Sequence, residues 1–111
     1  MSEGIRYDQG KAPMGLLPFR ALRAVADVLG FGAQKYAPNN WAKGMDWSRI
    51  EHSLLRHFER YKAGEKADPE SGLSHLAHLA CNALFLLEYE IGSIGTDDRA
   101  EALKDAKKET E

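Results

Sequence analysis

The chain has one cysteine, no apolar run of membrane-spanning length, no excess of positive charge and no internal repeat. Each absence closes a class of proteins. A lone cysteine excludes an intramolecular disulfide framework and fits a reducing compartment; Cys81, set among leucines and alanines, reads as a small core hydrophobe. The apolar stretches fall short of the roughly 20 residues that a bilayer demands, and the opening MSEGIRYDQGK lacks the apolar core of a secretory leader. The expectation is a cytoplasmic protein with no membrane partner. Fifteen Lys and Arg stand against 17 Asp and Glu, a net charge of −2, so no global basic field draws the chain to nucleic acid and any phosphate binding is local. At 111 residues it is one small domain, for which association of helical chains is a natural route to further buried area, and a homo-oligomer is expected.

Residues Met1 to Gly15, with Asp8, Gly10, Lys11 and Pro13, read as an extended arm in which Lys11 is either a solvated lysine or a phosphate contact. A first helix is predicted from near Pro18, with Leu22, Val25, Ala26, Leu29, Ala33 and Tyr36 on its inner face. Gly30 and Gly32 cost that helix about 1 kcal/mol each relative to alanine, which suggests a close backbone neighbour or a break, either placing Lys35 at a junction. The turn-rich segment Ala37 to Asp46 carries Trp41, which either plugs the core or, beside Asn39 and Asn40, stacks on and reads a nucleobase. A second helix is predicted from about Ser48 to Ala63, capped by Asp46 or by Ser48 with Glu51. Its inner face would be Ile50, Leu54, Leu55, Phe58 and Tyr61, with His57 at the edge and Arg56, Glu59 and Arg60 turned toward solvent.

The stretch from Gly64 to Leu87 is the most informative. Stepped at about 100° per residue, His75, His78, Asn82 and Tyr89 share a sector roughly 60° wide on an otherwise apolar helix. A buried polar group without a partner costs about 1–3 kcal/mol, so such a stripe is either a satisfied core network or the wall of a site. Glu65, Asp68 and Glu70 lie just upstream. Converging carboxylates repel unless a cation sits among them, and hard oxygen ligands favour Mg²⁺ or Mn²⁺. The competing explanation is that Asp68-Pro69-Glu70 starts the helix, with Asp68 as N-cap, which accounts for Asp68 and Glu70 and leaves Glu65 unexplained. A structural zinc site lacks its second ligand pair, and no His-Asp dipeptide is present. Beyond Glu90 the chain loses its large residues and reads as a short polar helix or frayed tail.

Four segments, RYDQGKAPMGLLP, FGAQKY, NNW and LLRHFERYKAGEKADPESGLSHLAHLACNALFLLE, together resemble the bacteriophage dATP/dGTP diphosphohydrolases, the MazZ-like enzymes related to the MazG all-α nucleoside triphosphate pyrophosphohydrolases. The resemblance runs from Arg6 to Glu88. It implies an all-α, MazG-like small helical bundle completed by oligomerisation, spanning residues 1–90, with 91–111 a charged tail, in the host cytoplasm if phage-encoded. It implies hydrolysis of dGTP, and of dATP, to the monophosphate and pyrophosphate with Mg²⁺ or Mn²⁺. Glu65-Lys66-Ala67-Asp68 matches the second MazG acidic motif; the first, built on paired glutamates, is missing, and His57-x-x-Arg60 and His75-x-x-His78 stand at comparable positions. On this basis Glu65 and Asp68 are the expected catalytic residues and metal ligands, with His57, His75 and His78 as further ligands or orienting groups. Lys11, Lys35 and Arg60 would hold phosphates, Asn40 and Trp41 the base, and Asn82 the substrate. The competing readings are a non-catalytic helical nucleotide-binding or protein-interaction module of a phage and, against the net charge, a nucleic-acid-binding helical domain using Arg56, Arg60 and Trp41.

Overall fold

A computed structural model describes residues 3–99. Among them lie three α-helices, α1 (Phe19–Lys35), α2 (Trp47–Lys62) and α3 (His75–Gly92), and two short 3-10 turns at Met14–Leu16 and Asn40–Lys43. The architecture is the small all-α bundle that the periodicity predicts. Helix α3 is the common partner of α1 and α2.

Small residues on α3 let α1 approach. Ala77 and Cys81, one turn apart, meet Val25 and Val28 of α1, with Ala24, Leu73, Ala80 and Phe85 around them. Because α1 packs chiefly on α3, its buried stripe is narrow and rotated from the expected face: Val25 and Val28 are inside, whereas Ala26, Leu29 and Tyr36 are exposed. The helix runs unbroken through Gly30 and Gly32, and a Cβ at either would meet nothing within 4 Å, so neither a break nor a close neighbour accounts for the pair.

Helices α2 and α3 run antiparallel, with contacts pairing Trp47 with Ile94, Ser53 with Asn82 and His57 with His75. Ile50 is buried, while Leu55, Phe58 and Tyr61, expected to face inward, are 58%, 45% and 43% exposed. The stripe of α2 turned toward α3 is instead Ile50, Ser53, Leu54 and His57, partly polar because α3 offers polar partners there.

Helix α3 starts six residues later than the Asp68 cap would place it. Ser74 is the N-cap, its Oγ accepting from the Leu76 N–H at 3.2 Å. Asp68 caps a turn instead, accepting from the Ser71 N–H at 2.9 Å, and its carboxylate is therefore held in the α2–α3 connection.

After α3, Ser93 takes a left-handed conformation and the chain folds back across the start of α2. The Trp47 indole N–H donates to the Ile94 carbonyl at 2.8 Å, and the Thr96 carbonyl accepts from the Trp47 N–H at 2.9 Å. Asp98 accepts from both the N–H and the hydroxyl of Ser48, at 2.9 and 2.5 Å. Asp46 stands at the N-cap, as one of the two expected caps, but only its backbone serves, the carbonyl accepting from the Arg49 N–H at 3.0 Å; the donors of Trp47 and Ser48 are met by Thr96 and Asp98 from far along the chain. Residues 93–99 are part of the folded unit; residues 100–111, most of the expected charged tail, lie outside the described residues.

Candidate metal and nucleotide site

A cleft of about 1030 Å³ opens between the three helices and their connections. Two local devices bring its polar end together. The first is the end of α2. Gly64, at φ 93°, lets its own N–H bond the Tyr61 carbonyl and the next N–H, that of Glu65, bond the Arg60 carbonyl, both at 3.0 Å. This Schellman arrangement swings Glu65 back over the helix end. The second is a closed loop: Asp68 N–H to the Leu73 carbonyl at 2.8 Å, Gly72 N–H to the Asp68 carbonyl at 2.7 Å, and His75 N–H to the Lys66 carbonyl at 2.9 Å. Gly72, at φ 73°, makes the turn that this requires.

The result is a linear set of contacts. Glu65 Oε1 lies 2.8 Å from His75 Nε2, and His75 Nδ1 lies 2.9 Å from His57 Nδ1. His75 is only 2% exposed. One ligand atom from each of His57, Asp68 and His75 falls within 4.8 Å of the other two. The carboxylate of Glu65 accepts the Nε2 proton of His75, so the opposite nitrogen of that ring is the one presented to His57. The His57 ring also stacks on His78 with centroids 4.5 Å apart and planes 5° apart, and His78 Nε2 is 2.7 Å from the Ser71 hydroxyl.

Burial, with the neighbouring His78 and His75, lowers the pKa of His57; burial likewise lowers that of His78, against the opposing pull of Asp68. Both imidazoles are thereby favoured in the neutral form, the one that binds a cation. Burial works against ionisation of Asp68, but the hydrogen bonds from the Ser71 backbone and side chain outweigh it and hold the carboxyl below its usual range.

Cations flank this end. Lys35 forms an ion pair with Glu70 at 2.5 Å, and that hydrogen bond raises the lysine pKa; Arg60 stands 3.6 Å from Glu65. At the other end Trp41 stacks on Phe85 with centroids 5.3 Å apart, and the Tyr89 hydroxyl donates to the Trp41 carbonyl at 2.7 Å. Asn82 Nδ2 donates to Ser53 Oγ at 3.1 Å.

Of the residues singled out in the sequence, Glu65, Asp68, His57, His75, His78, Lys35, Arg60, Asn40, Trp41 and Asn82 all line this one cleft. Lys11 does not; it sits in an exposed turn whose N–H bonds the Asp8 carbonyl at 3.0 Å. Ser53, Arg49 and Arg56 line the cleft without having been singled out for it, and Ser71 orders both Asp68 and His78. Ser71 carried a faint signal, three residues after Asp68, the spacing of a side-chain cap to a backbone N–H.

The family model for the N-terminal region of dATP/dGTP diphosphohydrolases matches residues 1–99. A dATP/dGTP diphosphohydrolase of Salmonella phage PMBT28 is 38% identical over 96 residues, covering 86% of this chain and 33% of that protein. The chain thus spans about a third of the length of this curated relative. No solved structure matches. With nearly the whole chain under the family model and the shared block running through the His57, Asp68 and His75 cluster, the chain belongs to the dATP/dGTP diphosphohydrolase N-terminal family.

Proposed function

We propose that this chain hydrolyses purine deoxynucleoside triphosphates, dGTP and dATP, to the monophosphate and pyrophosphate, with a divalent cation held by His57, Asp68 and His75. The observation that carries the reading is the convergence of three ligand atoms, from α2, the connection and α3, within 4.8 Å. The name of the phage relative supplies the substrate class.

The donor set fits such an ion. His57 and His75, whose Nδ1 atoms lie 2.9 Å apart, would hold the ion together with Asp68. To hold a cation there His57 would carry its ring proton on Nε2, which leaves the Nδ1 lone pairs of both imidazoles for the ion. Imidazole donors suit transition metals better than Mg²⁺, so of the two expected ions the set favours Mn²⁺. Glu65, expected as a ligand, acts instead from behind His75, fixing its tautomer and orientation, and Asp68 is the carboxylate ligand, as expected.

When bound, the ion polarises phosphate oxygens and lowers the pKa of an attacking water. The protein's own residues position the chain of phosphates. Lys35 exchanges Glu70 for a phosphate oxygen, and Arg60 and Arg56 add guanidinium donors beside it. Trp41 and Phe85 supply the apolar end for the base, and Asn40 a hydrogen-bonding amide in the same lining. The exposed Leu55, Phe58 and Tyr61 of α2 and Leu76, Leu84 and Leu87 of α3 support the homo-oligomer expected from chain length.

The test is product analysis. dGTP and dATP incubated with Mn²⁺ are expected to give monophosphate and pyrophosphate in equal amounts, and EDTA to stop both. Saturable nucleotide binding without pyrophosphate would instead make the chain a binding module.

A further inference from the structure

A site that accepts both guanine and adenine meets opposite polarities on the Watson–Crick edge: guanine N1 carries a hydrogen, adenine N1 a lone pair. One side chain reads both only if it can present either an acceptor or a donor at the same place. A carboxamide does so by rotating 180°, provided that its other partner tolerates both orientations. A serine hydroxyl is such a partner, since it both donates and accepts.

Asn82 and Ser53 are that combination. Asn82 is 9% exposed, lines the cleft, and donates through Nδ2 to Ser53 Oγ at 3.1 Å across the α2–α3 interface. With the amide turned over, the Ser53 hydroxyl donates to Oδ1 and the pair is equally satisfied. The position also suits a base edge. Asn82 follows His75 by seven residues on the same polar stripe, about 10 Å along the axis at 1.5 Å per residue, comparable with the reach of a nucleotide from its α-phosphate to its base edge. Three residues beyond Asn82, Phe85 carries the stacked Trp41, so an aromatic surface adjoins the amide.

We propose that Asn82, with Ser53 as its two-way hydrogen-bond partner, is the residue that reads purine N1 in both substrates and gives the site its dual adenine and guanine acceptance. Asn82 Oδ1 accepts from guanine N1–H; in the rotated state Nδ2 donates to adenine N1. Ser53 is a positioning residue. This rests on the purine triphosphate reading above.

Asn82→Asp keeps the shape and offers acceptors only. It is expected to raise the dGTP to dATP ratio of kcat/KM at least ten-fold, a size typical of one mismatched hydrogen bond in a nearly dry site. Wild-type protein provides a second arm that does not depend on a variant folding: 1-deaza-dATP, which has C–H at that position, is expected to lose about ten-fold in kcat/KM relative to dATP, while 7-deaza-dATP does not. Asn82→Asp changing both nucleotides by the same factor, or 1-deaza-dATP turning over like dATP, would leave the pair a brace between helices and overturn the proposal. Wild-type protein that hydrolyses neither dGTP nor dATP overturns the purine triphosphate reading itself, and this proposal with it.

Discussion

His75 and Glu65 are joined nitrogen to oxygen at 2.8 Å, ten residues apart in sequence, with the histidine buried and the carboxylate half-exposed. The pairing fixes which face of the imidazole the cleft receives. Glu65→Gln retains an acceptor for the Nε2 proton but removes the charge behind the ring. Mn²⁺ affinity is therefore expected to fall about 10–100-fold without loss of fold, the usual cost of removing an outer carboxylate partner. Calorimetric titration with Mn²⁺, alongside circular dichroism, checks this; unchanged affinity would remove Glu65 from the site.

The fold-back of residues 94–98 onto α2 depends on one glycine. At Gly95, φ is +72° and a Cβ would sit 2.3 Å from the Met45 carbonyl oxygen. Gly95→Ala is expected to cost about 1–3 kcal/mol and to lower the thermal midpoint. Gly30→Ala, in an exposed helical position with open space around it, is expected to gain roughly 0.5–1 kcal/mol. Thermal melts of the two variants should move in opposite directions, and a shared direction would refute the assignment of strain to Gly95.

Cys81 is 3% exposed, and burial pushes its thiol up to about 11. A thiol is nucleophilic only as the thiolate, so native protein at pH 8 should react with Ellman's reagent far more slowly than protein unfolded in guanidinium. The raised value also has a stability consequence. The neutral thiol is favoured in the folded state, so its contribution is complete below pH 9 and is lost as pH rises toward 11. Rapid labelling of the native protein would contradict the core assignment.

The helices were legible because α3 repeats apolar residues on nearly every face, and its polar stripe stood out against them. His75, His78, Asn82 and Tyr89 do point together, and each has the hydrogen-bond partner that burial demands. The inner faces of α1 and α2 were legible only in part: Val25 and Ile50 are buried as expected, but much of each expected face is exposed. Periodicity marks an apolar stripe without saying which neighbour covers it, and Leu55, Phe58 and Tyr61 form such a stripe on the open side of α2. The Asp98 cap was hidden for another reason: it joins Ser48 to a residue fifty positions away, beyond any local pattern. Within the site, residue types were legible but roles were not. Only the Gly64 turn, seen in three dimensions, puts Glu65 behind His75 and leaves Asp68 within reach of His57 and His75.

The most direct test joins metal binding and turnover in the same samples. Asp68→Ala and wild-type protein are titrated with Mn²⁺ by electron paramagnetic resonance, and pyrophosphate release from dGTP is followed in each. The account predicts that the wild type binds Mn²⁺ and releases pyrophosphate, at a higher rate than with Mg²⁺, and that Asp68→Ala, still folded, loses most Mn²⁺ binding and at least 100-fold in rate, as expected when one of three charge-stabilising ligands goes. Full Mn²⁺ binding and full turnover in Asp68→Ala would contradict it.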